Sequence, residues 1–148
     1  MEAIVDAADA PLVSGRNWYA LAAGRTFYAV AKTSSKAGPR RLVSLHRTIM
    51  EGVETPTIDH RDGDGLNCRR SNLRAATVAE NTRNRRRPIA ASDEPKGVSF
   101  HRKARAWQAQ IKHDGICTYL GLFATPTAAH AAYCEASSRL HGEFGRTA

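Results

Sequence analysis

A chain of 148 residues has room for one ordinary domain or two small ones, and small domains need simple, local architectures to bury enough surface. Its 22 Lys and Arg against 14 Asp and Glu leave a formal charge of +8, a balance that suits a polyanionic partner whose phosphates release counterions when neutralised. No run approaches the roughly 20 apolar residues of a membrane span, and no basic start before an apolar core marks a secretory signal.

Residues 1–14 are rich in alanine, carry Glu2, Asp6 and Asp9 without a base, and read as a poorly packed leader. Trp18–Ala23 and Thr26–Lys32 are aromatic and β-branched runs around Gly24-Arg25, the pattern of a hairpin. Ser34–Pro39 is a turn-rich connection, and Arg41-Leu42-Val43 is a third strand candidate. Leu45–Glu51 follows as a short helix ended by Gly52. Thr57–His60 is a short strand, Asp62-Gly63-Asp64-Gly65 a tight turn, and Ser71–Arg74 a second short strand. Thr77-x-x-Glu80 is a capping box that opens a helix expected to reach about Arg87, because Pro88 cannot continue it. Residues 57–87 thus predict strand, strand, helix.

Residues 88–95, with two prolines among Ala, Ser and acids, form the linker candidate. Beyond it the period becomes two: Val98/Phe100, Trp107/Ala109/Ile111 and Thr118/Leu120, with His113-Asp114-Gly115 as a turn. Thr125-Pro126 caps a helix whose apolar face is Ala128, Ala129, Ala132, Tyr133, Ala136 and Leu140, ended by Gly142. The class is α+β: an N-terminal hairpin with a ββα unit, then a three-stranded antiparallel sheet packed on one helix. The three cysteines, Cys68, Cys117 and Cys134, are odd in number and lack C-x-x-C spacing, so they read as free thiols in a reducing compartment.

Chemistry concentrates in the ββα unit. A base at the end of its first strand can activate water, and side-chain oxygens from strand and helix can hold a hard divalent cation. Asp59-His60 offers a carboxylate beside an imidazole, Asn81 lies in the first turns of the capped helix, and Asn84 is three residues further along it.

Leu45-His46-Arg47, Ile58-Asp59-His60, Gly63-Asp64-Gly65-Leu66, Ser71-Asn72-Leu73-Arg74, Thr77 and Glu80-Asn81-x-x-Asn84 together resemble a phage-type HNH homing endonuclease of the His-Me finger group. The resemblance spans about residues 15–87, with the motifs in the family's order and spacing. It implies a ββα-metal nuclease domain at 15–87 that hydrolyses phosphodiester bonds of double-stranded DNA. His60 would be the general base. Asp59 and Asn81 would hold one Mg²⁺ or Mn²⁺ ion. Asn72 would brace the hairpin loop, and Asn84 would stand where many members carry a final His or Asn of the catalytic set. Arg47, Arg74, Arg83, Arg85, Arg86 and Arg87 would be phosphate contacts or transition-state stabilisers, and His46, on the helix before the site, a phosphate contact or a packing residue. Cys68 departs from the family's usual polar residue and is expected not to touch the chemistry. The implied setting is the cytoplasm, of a phage-infected host or of a bacterium, with no obligate protein partner and with monomer or dimer left open.

Residues 96–148 resemble an APETALA2-type DNA-binding domain through Lys96-Gly97-Val98, Trp107-x-Ala109-x-Ile111, Tyr119-Leu120-Gly121-x-Phe123, Thr125, Ala128, Ala129, Ala132 and Tyr133. Strand alternation turns Gln108, Gln110 and Lys112 away from the helix. By the resemblance Ser99, His101 and Tyr119 join them on the DNA-reading face, with Lys96, Arg102, Lys103 and Arg105 at the turn. Gln pairs with adenine edges and Arg with guanine, while Lys chiefly holds phosphate. The competing expectation is a non-catalytic DNA-binding regulator that keeps the HNH fold as scaffold; a third is an RNA-directed protein.

Overall fold

The computed structural model describes residues 1–33, 41–85 and 94–147. The expected connection at 34–39, Arg86, Arg87 and residues 88–93 of the expected linker lie outside the described residues. The fold is mixed α+β and forms two compact units, Met1–Asn81 and Thr82–Ala148.

In the first unit a hairpin of β1 (Tyr19–Ala23) and β2 (Thr26–Lys32) is extended by β3 (Leu42–Ser44) into an antiparallel sheet of order β1-β2-β3. Helix α2 (Leu45–Ile49) follows at once, shorter than the 45–51 expected, and Met50 closes its last turn by donating its N–H to the His46 carbonyl. Strands β4 (Thr57–His60) and β5 (Leu73–Ala76) pair antiparallel, with Asp59 opposite Arg74 and His60 opposite Leu73. Ala29, Leu45, Ile49, Ile58, Cys68 and Leu73 form the core, joined by Val5, Val13, Trp18, Met50 and Leu66.

The residues expected as a loose leader are docked instead. Ala7–Asp9 makes a 3-10 turn and Ala10–Val13 the short helix α1. Ile4 exchanges backbone hydrogen bonds with Leu66 and Cys68, each at 2.8 Å. Asp9, almost fully buried, accepts from the Arg70 guanidinium at 2.8–3.1 Å, and Asp6 accepts from the Arg70 backbone N–H. Composition suggested an unattached acidic tail; a single arginine from a distant loop supplies the counter-charge.

Helix α3 (Val78–Asn84) is opened by the expected capping box: Glu80 N–H donates to Thr77 Oγ1 at 3.2 Å while the Glu80 carboxylate accepts from Thr77 N–H at 2.7 Å. It ends before the expected Arg87, because Arg85 N–H turns back to the Thr82 carbonyl in a tighter i→i+3 bond.

In the second unit β6 (Val98–His101), β7 (Ala106–His113) and β8 (Ile116–Phe123) form an antiparallel sheet in that order. The two-residue turn Asp114-Gly115 has φ of 47° and 83°, the double left-handed geometry for which Asp-Gly is the preferred pair. Helix α4 (Pro126–His141) starts where Thr125 Oγ1 accepts from Ala128 N–H at 3.1 Å. It buries Ala129, Tyr133 and Ala136 against Val98, Ala109 and Ile111, with Ser137 also buried and Ala128 exposed. Gly97 sits at φ 77° under the Tyr133 ring, which a Cβ there would strike.

Candidate functional site

The 60–72 loop of the first unit is built almost entirely from its own polar side chains. Asp62 accepts from Asp64 N–H at 2.8 Å, from Asn67 at 2.7 Å and from Asn72 at 2.9 Å. Asn72 also donates to the Asn67 carbonyl and accepts from Asp62 N–H, while its own carbonyl takes the Arg61 N–H. Burial alone would raise the Asp62 carboxyl, but the donors from Asp64, Asn67 and Asn72, with His60 nearby, hold it below the usual carboxylate range. Asn72 is therefore a buried brace across the loop that follows His60.

His60 ends β4 and is 4 % exposed. Its ring lies edge-on to His46, centroids 5.1 Å apart, and within 5.7 Å of Tyr28. Burial lowers the His60 pKa, and the offsetting carboxylates Asp62, Asp59 and Asp64 do not restore it, so the imidazole is neutral near pH 7. His46 is pushed down to about 4 by burial, then by His60 and Arg47. Its Nδ1 is buried with no hydrogen-bond partner among the described residues. His46 thus packs into the His60 cluster, one of the two places expected for it beside a phosphate contact.

Asp59 is 4 % exposed, and its Oδ2 is held by Arg74 at 2.8 Å through Nε and 2.6 Å through Nη2. The cross-strand register produces this pair, since neighbours directly opposite in a ladder share one face. Arg74, expected as a phosphate contact or transition-state stabiliser, is a buried counter-ion of Asp59. Asn81 is half-buried on α3, and Asn84, at the end of that helix, is buried.

Among the described residues no group of three or more His, Cys, Asp and Glu is arranged to hold a metal ion. The donor set still suits one class of ion. Mg²⁺ keeps several waters and commonly takes only one or two protein carboxylates together with substrate phosphate oxygens. Asp59 is a buried carboxylate on this strand end, with its Oδ2 engaged by Arg74.

Cys68 corrects a further expectation. It is fully buried, and its Sγ lies 3.8 Å from His60 Nε2, against the chemistry it was expected to avoid. Burial, with Asp64 and Asp62, pushes the thiol up to about 12. Nothing local in the sequence marks Cys68. Tyr28 had a signal: it alternates in β2 with Thr26, whose Oγ1 accepts from Gly65 N–H at 2.8 Å.

The basic residues divide sharply. Arg47 donates to the Thr55 and Pro56 carbonyls at 3.0 and 2.6 Å. Arg83 pairs with Asp114 at 2.6 Å, and Lys96 donates to the Arg83 carbonyl at 2.7 Å. Each has a protein partner that its place in the sequence did not reveal. Arg85, Arg102, Lys103 and Arg105 are exposed, the last three in the β6–β7 turn, where His101 Nδ1 accepts from Ala104 N–H.

On the sheet of the second unit the register places Ser99 beside Gln108, Gln110 beside Tyr119 and Lys112 beside Cys117, all on the face away from α4. A register shift between Ala109 and Gln110 lets Leu120 turn inward to the core. Ser99, His101, Gln110, Lys112 and Tyr119 are exposed there and Gln108 is half-buried; Leu122 and Cys117, not foreseen, complete the face.

Residues 44–83 match the HNH endonuclease family. The chain is 32 % identical over 82 residues to Protein 3.8 of Escherichia phage T7, an overlap of 52 % of this chain and 64 % of that protein. The chain therefore spans less than two thirds of that relative's length. No solved structure matches. No helix among the described residues is long and apolar enough to cross a membrane. The buried Asp59-His60 strand end and the Asn72 brace lie inside the segment, residues 44–83, that is similar to the HNH endonuclease family.

Proposed function

We propose that the chain is a divalent-metal-dependent DNA endonuclease, with a ββα-metal site in the first unit and a DNA-holding module at residues 96–148 joined through 88–95. The observation that carries this reading is a buried, neutral imidazole ending a strand beside a carboxylate, within a segment matched by the HNH endonuclease family. A neutral imidazole can take the proton of a water attacking phosphorus, and a base whose pKa lies near or below the working pH is unprotonated when needed. Asp59, with Asn81, would hold the ion. Bound there, the ion would polarise the phosphate and stabilise the leaving oxygen. Asn72, through the loop, keeps His60 at its station.

The second unit would take duplex DNA on the outer sheet face, with Gln108, Gln110, Ser99 and Tyr119 toward base edges and Lys112, Arg102, Lys103 and Arg105 toward phosphates. This reading of residues 96–148 as APETALA2-type rests on the sequence resemblance, supported by the exposure and shared face of those side chains. Tethering would raise the cutter's effective concentration at bound DNA.

One observation favours the second reading, a DNA-binding regulator without catalysis: the Asp59 carboxylate is engaged by Arg74 inside the protein. Incubation of the purified protein with supercoiled plasmid and Mg²⁺ or Mn²⁺ separates the two. Nicked or linear product from the parent, lost in His60→Ala while DNA binding persists, supports the endonuclease. Tight binding with no cleavage under any metal supports the regulator. Cleavage by His60→Ala at the parent's rate would overturn the role given to His60.

A further inference from the structure

We propose that Cys68 is a positioning residue for His60: its thiol receives the Nε2–H of the imidazole, so that Nδ1 carries the lone pair. A single thiol proton has to serve the contacts of the sulfur. Among the described residues Cys68 Sγ makes two polar contacts, with His60 Nε2 and with the Gly65 carbonyl, both at 3.8 Å. A carbonyl can only accept, so the S–H must point to Gly65 for that contact to be a hydrogen bond. The sulfur then has only lone pairs to offer Nε2, and Nε2 must bring the proton. The opposite assignment, S–H toward Nε2, leaves the Gly65 contact without a hydrogen. Only the Nε2–H tautomer satisfies both.

Two features keep the thiol in that role. It remains protonated throughout the working range, because burial pushes it up to about 12. It is also fixed in place: Cys68 N–H donates to the Ile4 carbonyl at 2.8 Å, and Ile4 and Asn67 form a parallel bridge. The docked N-terminal segment thereby holds the loop that holds the sulfur. A partner on one imidazole nitrogen sets both the tautomer and the orientation of the ring, which is how such contacts act on basicity and aim.

The tautomer is independent of any nuclease activity; only the consequence for cleavage rests on the function proposed above. The full chain labelled with ¹⁵N-histidine is examined by long-range proton–nitrogen spectra near neutral pH, with His60 assigned by the signals missing from His60→Gln. The expected result is a protonated Nε2 and an unprotonated Nδ1 for His60 in the parent, relaxing toward a mixture in Cys68→Ala while the amide spectrum elsewhere is retained. A protonated Nδ1 in the parent overturns the proposal, as do unchanged His60 nitrogen shifts in a folded Cys68→Ala. Should Cys68→Ala fail to fold, the parent's own His60 signature decides. With cleavage as readout, Cys68→Ala lowers kcat by about tenfold at unchanged KM. A parent with the expected tautomer but no cleavage removes the nuclease reading and leaves the positioning role standing.

Discussion

The two units use polar residues in opposite ways. In the first, Asp59, His60, Asn72 and Arg74 are all buried, each held by its neighbours, and charge is balanced within the protein. In the second, Gln110, Lys112, Tyr119 and the turn residues Arg102, Lys103 and Arg105 stand exposed on a sheet whose opposite face carries the packing. A buried polar group is costly unless satisfied, so the first arrangement is rigid and couples stability to chemistry. An exposed one can be exchanged with little effect on folding, leaving it available for contact with another molecule.

Among the buried polar residues of the first unit, His60→Ala has the largest expected effect. If His60 is the general base of the proposed endonuclease, its loss should lower cleavage by roughly 10²–10⁴-fold with DNA affinity retained, read by single-turnover cleavage and by gel shift. Equal loss of affinity would mean that His60 holds DNA instead.

Arg74→Ala comes next. Removing one partner of a buried ion pair leaves Asp59 uncompensated, with an expected loss of about 3–5 kcal/mol in urea unfolding. A loss below about 0.5 kcal/mol, the range of ordinary surface substitutions, would break the contrast between the two units.

The third test is pH. His46 titrates near 4 when folded and near 6.5 when unfolded. Between those values the unfolded chain binds a proton that the folded chain refuses, so stability is full above about 6.5 and falls as pH drops toward 4. His46→Phe should flatten that slope in thermal melts taken across the window.

The smallest effects belong to the outer sheet. Lys103→Ala should leave unfolding within about 0.5 kcal/mol of the parent while reducing the salt slope of DNA binding by about one. Gln110→Ala should likewise spare stability and alter only which sequences are preferred. A large loss of stability from either would show that this face is packed against something.

Much of the framework was legible because it depends on residues a few positions apart. The Thr77–Glu80 box, the Thr125-Pro126 cap, the Asp114-Gly115 turn and the alternation through Trp107, Ala109 and Ile111 are local devices, and each stands where the pattern put it. The pairing of Asp59 with His60 on one strand end was legible for the same reason. Partners were not. Arg74 looked like a phosphate contact until the ladder set it opposite Asp59, and the acidic start looked loose until Arg70 closed on Asp9. Cys68 had no periodic or capping signature at all; only the closed loop brought it to His60.

Residue order alone was enough to place the tight turns and the helix starts, because a φ above zero, a missing N–H or a hydroxyl three residues from an amide acts over one turn of chain. The tertiary structure alone decided which charges are spent inside the protein and which face outward. That choice depends on register and loop closure, which bring together groups separated by as many as 64 residues, as Asp6 and Arg70 are.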